Sequence, residues 1–216
     1  AVESFYSQVV KYLIYGNVLR NNTYPLSVSA ERIVQAIEIV KHAKKIGADA
    51  IAHGSTGAGN DQVRFDMIFQ IIAPEIEIIT PIRDNQLSRE AEIQYLQSQG
   101  IDYSREKAKY SINRGLWGTS VGGDETLPSH SALPESAYPS QLEKELPKKV
   151  RLTFTNGEFT ALDGETASPV ANIEKQSEIA SKYAIGRDIH VGDTIIGIKG
   201  RVGFEAAAPL IIVKAH

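Results

Sequence analysis

The sequence predicts an α/β protein, in which part of a parallel sheet is followed by part of an α+β region. Helical and strand-like segments alternate through the first half of the chain, and a glycine-rich loop joins one strand to the next helix. The alternation ends after Asp102, where glycine, serine and proline become frequent. Alternating helices and strands are typical of a parallel sheet, whereas hairpins in the second half indicate an antiparallel one.

The first half has the apolar spacing of amphipathic helices and buried strands. Ile33, Ile37 and Val40 recur on one helical face, and Val63, Met67 and Ile71 form a stripe that we expect to face the sheet. Serines and glycines supply the end signals. The predicted elements are an amphipathic helix at the N-terminus, a helix that follows Ser29 and ends at Gly47, a strand over 49–53, a helix over 61–72, a strand over 75–80 and a helix over 88–100.

The second half favours a mixture of hairpins and helices. Residues 150–155 and 159–162 flank the pair Asn156-Gly157, which is typical of a two-residue hairpin turn. A helix is predicted over 168–183 with Pro169 in its first turn, and strands interrupted by glycine are predicted from there to the apolar run PLIIVKA. The change of pattern divides the chain into two predicted domains, 1–106 and 107–216.

Composition excludes several classes of function. The net charge of −3 gives no basic surface for nucleic acid, and the chain has no cysteine for disulfides, thiolate metal sites or a nucleophile. The five histidines lack the spacing of metal ligands. No apolar run is long enough to cross a bilayer and no signal peptide is recognisable, so we expect a cytoplasmic protein. The chain starts inside a helical pattern without Met and ends in an apolar run, which we interpret as a fragment.

The segment HGSTGAGNDQVRFD, residues 53–66, is the strongest candidate for a functional site. Its three glycines let backbone N–H groups approach a ligand, and the N-terminus of the next helix favours an anion. A P-loop would continue with lysine, but this chain continues with Asn60 and Asp61. Asp61 suits an ammonium group and Arg64, on the same helical face, suits a carboxylate, so an amino acid beside a nucleotide fits. The simpler alternative is a glycine turn with a capping side chain and a solvated arginine.

The same segment closely resembles a motif of the argininosuccinate synthases, and TYPLSVSAERI, YSINRGLWGTS and IIGIKGRVGFEAAAP resemble that family in the same order. The resemblance implies an N-type ATP pyrophosphatase-like nucleotide-binding domain followed by a synthetase domain. It implies ATP-dependent ligation of citrulline and aspartate to argininosuccinate through a citrullyl-adenylate, with release of AMP and pyrophosphate. It further implies ATP as a substrate with Mg²⁺, no tightly bound cofactor, and a homotetramer of the full-length protein.

The resemblance implies ligands for each substrate but assigns no catalytic side chain. Gly54 corresponds to the ATP site, and Thr56, Asn60 and Asp61 correspond to the aspartate site. The residues that correspond to the citrulline site are Tyr24, Ser29, Asn60, Arg64, Ser111 and Ser120. We interpret Trp117, the single tryptophan, as a packing residue.

The chain departs from the family pattern at several positions. Ala58 stands where many members have lysine, Phe204 where a tyrosine contacts citrulline, and Gly192 where a glutamate does. The acidic side chains that could replace this glutamate are Asp188, Asp193 and Glu205. The family's N-terminal Ser-Gly-Gly-x-Asp-x-Ser pyrophosphate loop and its long C-terminal helix have no counterpart in this sequence, so we expect the chain alone to be inactive. A non-catalytic ligand-binding or oligomer-forming module is the alternative.

Overall fold

The structure, a computed structural model, describes residues 1–57, 59–103, 109–193, 195, 197 and 199–216, without the side chains of Asp124, Asp193 and Lys199. The chain forms two compact units. The hairpin unit comprises Ala1–Glu31, Ser111–Gly192 and Lys199–His216, and the loop unit comprises Arg32–Tyr110 and Asp193–Ile198. The predicted domain boundary between residues 106 and 107 stays a prediction.

Most of the predicted helices are present, with small shifts at their ends. Ser88 and Ser168 accept the N–H of the residue three positions on, as expected of N-cap side chains, and Pro169 opens its helix. A π-helical turn, Tyr6–Val10, joins the first two helices. The helices are α1 (Val2–Phe5), α2 (Lys11–Tyr15), α3 (Ser27–Ile46), α4 (Asn60–Ile72), α5 (Pro81–Asp84), α6 (Arg89–Ser98), α7 (Pro169–Ser181) and α8 (Ala207–Ala215).

The strands form three sheets. In the loop unit, β1 (Ala50–Ala52) and β2 (Glu77–Ile79) pair in parallel, as the alternating pattern predicted. The strands of the hairpin unit are β3 (Ser111–Gly115), β4 (Gly118–Gly122), β5 (Leu152–Thr155), β6 (Glu158–Leu162), β7 (Glu165–Thr166), β8 (Arg187–Asp193) and β9 (Lys199–Glu205). They lie in the orders β3-β4-β9-β8 and β5-β6-β7, and Asn156 and Gly157 form the predicted turn between β5 and β6 with φ of 51° and 81°.

The core of the loop unit lies between α3, α4 and the short parallel sheet. Phe65 and Phe69 are 9% and 1% exposed and stack on each other at 5.9 Å, beside Ile51 of β1. The predicted stripe on α4 is therefore wrong, because Met67 and Ile71 are 44% and 70% exposed. The two phenylalanines bury more apolar area than the aliphatic side chains, and they decide which face of the helix turns inward.

Two further predictions are corrected by the structure. The apolar run near the C-terminus forms helix α8, not a strand, because Ala208 and Ile212 recur at helical spacing and are both 0% exposed. Helix α3 begins at Ser27, so Ser29 lies in its first turn and does not precede it. The Tyr24 hydroxyl accepts from Ser27 Oγ at 3.3 Å and from the Val28 N–H at 3.4 Å, which satisfies an N–H at the start of the helix.

Candidate functional site

The glycine loop lies between a strand and a helix, as the sequence predicted. After β1, the backbone N–H of His53 still donates to the Ile79 carbonyl at 3.0 Å, so the sheet fixes the point at which the loop begins. Gly59 adopts an extended conformation at the N-cap of α4, without a side-chain cap. The loop thus lies at the carboxyl end of β1 and at the N-terminus of α4, where parallel sheets bind ligands. Ala58, the predicted departure within the loop, lies outside the described residues.

Asp61 lies between two arginines at the start of α4. Its Oδ1 accepts from Arg64 Nη1 at 2.8 Å, and its Oδ2 accepts from Arg32 Nε at 3.4 Å. The side chains of Arg32 and Arg64 are 15% and 16% exposed, whereas Asp61 is 31% exposed. The simpler alternative required a solvated arginine, and the burial of Arg64 contradicts it. The cluster carries two positive charges and one negative charge, so it favours a ligand with more carboxylates than ammonium groups.

Asn60 and Thr56, which precede Asp61 in the chain, each accept a backbone hydrogen bond. The Asn60 Oδ1 accepts from the backbone N–H of Ile195 at 2.9 Å, within the loop unit. The carbonyl of Thr56 accepts from the Gly59 N–H at 3.4 Å, which turns the chain back towards α4. The amide of Asn60 is thus oriented by the protein before any ligand binds.

A hydrogen-bonded network beneath the loop joins residues that sequence reasoning missed. His53 Nε2 lies 2.8 Å from Asp66 Oδ1, and Arg83 Nη1 donates to Asp66 Oδ2 at 2.5 Å. Arg83 also donates to Gln62 Oε1 at 3.2 Å, and Gln62 Nε2 donates to the Gly57 carbonyl. The spacing of Gln62 and Asp66, four residues apart on one face of α4, was the available signal, because that face meets the end of β1.

Three of the predicted citrulline residues belong to one region of the hairpin unit. Ser111 lies on β3 and Ser120 on β4, in a register that places Asn113 opposite Ser120. Residues two apart on a strand point to one face, so Ser111, Asn113 and Ser120 share a face of the sheet. Ser120 also lies opposite Phe204 of β9, whose ring packs against Tyr24 at 5.3 Å.

Tyr24 and its neighbours form a buried aromatic cluster at the end of this face. Tyr24, His190 and Phe204 are 6%, 7% and 0% exposed, and the Tyr24 ring stacks on His190 at 4.8 Å. Burial lowers the pKa of His190, and the charge of Arg20 lowers it further. The cluster is therefore neutral and aromatic near pH 7. Ser29, the remaining predicted citrulline residue, is partly buried in α3 and belongs to the same unit.

The described residues contain no group of three His, Asp or Glu side chains placed to hold a metal ion. None of the helices in this part of the chain is long and apolar enough to cross a membrane. Trp117 is 0% exposed, which agrees with its interpretation as a packing residue.

Two family models together match nearly the whole chain. The model described as "Arginosuccinate synthase N-terminal HUP domain" matches residues 1–102, and "Arginosuccinate synthase C-terminal domain" matches residues 110–216. The chain belongs to the argininosuccinate synthase family. The predicted fold class is confirmed by the nucleotide-binding HUP domain and its parallel sheet, which precede a separate C-terminal domain.

Curated argininosuccinate synthases are similar over the full length of the chain. The protein of Methanocaldococcus jannaschii is 38% identical over 219 residues, which cover 100% of this chain and 55% of the relative. The proteins of Sulfolobus acidocaldarius and Pyrococcus furiosus are 37% and 38% identical, and the matches cover 56% and 53% of their lengths. The chain therefore spans about half the length of the argininosuccinate synthases that it matches.

The structure describes two of the three acidic side chains named as replacements for the glutamate expected at Gly192. Glu205 is 8% exposed and accepts from Arg187 Nε at 2.8 Å and from Ser140 Oγ at 2.6 Å, so its carboxylate is committed to a buried ion pair. Asp188 accepts from the backbone N–H of Ile189 at 2.7 Å. The side chain of Asp193 lies outside the description. At Gly192 itself, a Cβ would lie 2.7 Å from His190 Nε2, so a larger residue there requires His190 to move.

Proposed function

We propose that this chain forms part of an enzyme that ligates citrulline and aspartate to argininosuccinate, with ATP converted to AMP and pyrophosphate. The observation that carries the proposal is the arrangement of Asp61 between Arg32 and Arg64 at the end of a glycine loop. A carboxylate between two guanidinium groups suits a site for two amino acids, because an ammonium group and a carboxylate both find opposite charges within one cluster. The family membership of the chain supports the same reaction.

In the proposed reaction, the ureido oxygen of citrulline attacks the α-phosphorus of ATP, and pyrophosphate leaves. The amine of aspartate, after loss of a proton, then attacks the ureido carbon, and AMP leaves. Gly54 allows the backbone to approach ATP closely, and the N-terminus of α4 attracts its phosphates. We assign the aspartate ammonium to Asp61, with Thr56 and Asn60 as further aspartate contacts.

For citrulline, we propose contacts from Asn60 and Arg64 and from Tyr24, Ser29, Ser111 and Ser120. Arg64 offers a planar fork that can bind the citrulline carboxylate at two points. Ser111 and Ser120 share one face of the β3–β4 hairpin, which supports a common ligand for both hydroxyls. The Tyr24 oxygen accepts two hydrogen bonds at the start of α3, so its O–H proton is the part of the hydroxyl that we assign to citrulline.

The assembly, localisation and metal requirement of the enzyme are further parts of what we propose. We propose that the active protein has the length of the relatives, assembles as a homotetramer and works in the cytoplasm, with domains divided near residue 106. Mg²⁺ fits this loop poorly as a protein-bound ion, because Arg32 and Arg64 outweigh the single negative charge of Asp61 and repel a divalent cation. We therefore propose that Mg²⁺ arrives on ATP, held by phosphate oxygens, and that no other cofactor is tightly bound.

The test is pyrophosphate release by the full-length protein that contains this chain. We expect release that requires both citrulline and aspartate, with argininosuccinate as the product detected by mass spectrometry. Binding of citrulline or aspartate without turnover would instead support a non-catalytic binding module, which is the alternative function. Turnover that does not depend on aspartate would refute the proposed reaction.

A further inference from the structure

His53 is largely buried at the point where the loop leaves β1. Its side chain is 10% exposed, and its ring lies 5.6 Å from Phe65 and 6.1 Å from Phe69. Its backbone N–H extends the ladder to Ile79. The imidazole is thus fixed by the sheet and by the core of the loop unit, so its two nitrogens have fixed directions.

The partners of these nitrogens determine the tautomer of His53. Nδ1 lies 3.3 Å from the backbone N–H of Ser55, which is a donor, so Nδ1 must be the acceptor. Nε2 lies 2.8 Å from Asp66 Oδ1, an acceptor, so Nε2 must carry the proton. A proton on Nδ1 would face the Ser55 N–H and break the contact to the loop. Asp66 therefore selects the form of His53 that can hold Ser55.

The far side of the loop is held by the same network. Asp66 accepts from Arg83, which also donates to Gln62, and Gln62 donates to the Gly57 carbonyl. Arg83 packs closely under the loop, since a Cβ on Gly57 would lie 4.0 Å from its Cγ. Thr56 thus lies between two residues, Ser55 and Gly57, that are both tied to Asp66 through side chains.

We propose that His53, Asp66 and Arg83 are positioning residues that fix the glycine loop, and through it Thr56, for the aspartate step. This inference rests on the proposed function, in which Thr56 contacts aspartate. Among the described residues of the loop, the network contacts Ser55 and Gly57, on either side of Thr56. Of the proposed citrulline residues, two follow the loop on α4 (Asn60 and Arg64), whereas four belong to the hairpin unit (Tyr24, Ser29, Ser111 and Ser120). Loosening the network therefore affects aspartate more than citrulline.

Two substitutions of His53 separate its two contacts in the full-length protein. Asn mimics the Nδ1 acceptor, so His53→Asn keeps the contact to Ser55 and loses the one to Asp66. Gln mimics the Nε2 donor, so His53→Gln does the reverse. We expect His53→Gln to raise the aspartate KM roughly 2- to 12-fold, the equivalent of one hydrogen bond, with a smaller rise for citrulline. His53→Asn should lie closer to wild type. His42→Gln, at an exposed position of α3, is the matched control.

Two measurements on the same proteins require no turnover. The ¹⁵N shifts of His53 in wild type should report a protonated Nε2 and an unprotonated Nδ1. Amide hydrogen exchange at Ser55 should accelerate in His53→Gln but not in His53→Asn. A protonated Nδ1, or equal aspartate KM values in the two variants, would overturn the positioning role. If the wild-type protein makes no argininosuccinate but Ser55 exchange is faster in His53→Gln than in His53→Asn, the proposed function is overturned and the loop-fixing role stands.

Discussion

Replacing Asp61 by asparagine tests the assignment of the aspartate ammonium most directly. Asp61→Asn keeps the size and shape of the side chain but removes its negative charge from between Arg32 and Arg64. The two arginines are mostly buried, at 15% and 16% exposed side-chain area, and each contributes one hydrogen bond to Asp61. In the full-length protein, the substitution therefore changes both the stability of the cluster and its affinity for an ammonium group.

The two effects differ in size and in the substrate that they affect. Partly exposed ion pairs contribute about 0.2–1 kcal/mol each, so we expect the free energy of unfolding to fall by roughly 0.5–2 kcal/mol. A hydrogen bond from an ammonium to a carboxylate contributes about 1.5–3 kcal/mol, which corresponds to about a 12- to 150-fold loss in kcat/KM for aspartate. Adenylate formation from citrulline and ATP does not use aspartate, so it should change much less.

The assay compares overall turnover with the exchange of labelled pyrophosphate into ATP, in the presence of citrulline and the absence of aspartate. We expect exchange to persist while aspartate-dependent turnover falls. Glu38→Gln is a suitable control, because Glu38 forms an ion pair on α3 with Lys41, three residues on, at 2.8 Å, the same spacing as that of Asp61 and Arg64. If exchange falls as much as turnover, or if the aspartate dependence is unchanged, Asp61 does not bind the aspartate ammonium.

Three further predictions follow from the same structure. Arg64→Lys should raise the citrulline KM with little change in melting temperature, whereas Arg32→Lys should leave the citrulline KM unchanged. Equal effects of the two substitutions on this KM in steady-state kinetics would mean that Arg64 acts only through Asp61. Gly186→Ala should lower the free energy of unfolding by about 1–3 kcal/mol in urea titrations, because φ is +75° and the Cβ would lie 2.5 Å from Ala207 Cα. Gly164→Ala is the control that isolates the clash, because Gly164 has φ of +88° but open space around its Cβ position. The 216-residue chain alone should release no pyrophosphate with citrulline and aspartate, because it spans only about half of its relatives; measurable release would contradict this.

Local signals in the sequence were sufficient for most of the fold. The cap at Ser88, the Asn156-Gly157 turn and the strand–loop–helix order around β1 each depend on neighbouring residues, and each is confirmed. The predicted stripe on α4 and the predicted C-terminal strand proved wrong, because in each case the local pattern was compatible with a second arrangement. The apolar run of α8 is compatible with a strand or a buried helix, and periodicity alone does not decide between them at that length.

The candidate site was predictable only where its residues lie close together in sequence. Asp61 and Arg64 are three positions apart on one helix, and their pairing follows from helical geometry. Arg32 reaches Asp61 from another helix, 29 residues away, and Arg83 reaches Asp66 from 17 residues away. No local pattern records such contacts, because they join residues of α3 and α5 to residues of α4.

The charges at the start of α4 are arranged around Asp61, in a chain that lacks the lysine of a P-loop. A lysine beside Asp61 would add a third positive charge to a cluster that already holds two arginines. Without it, Asp61 is the least buried member of its cluster, at 31% exposed side-chain area against 15% and 16% for the arginines. The carboxylate therefore keeps a solvent-facing side on which a substrate ammonium can bind, while the arginines hold it in place from the protein side. The backbone N–H groups of the loop and the N-terminus of α4 remain available to attract phosphate. In the proposed reaction, the loop would bind the phosphates of ATP through its backbone and the amine of aspartate through the side chain of Asp61.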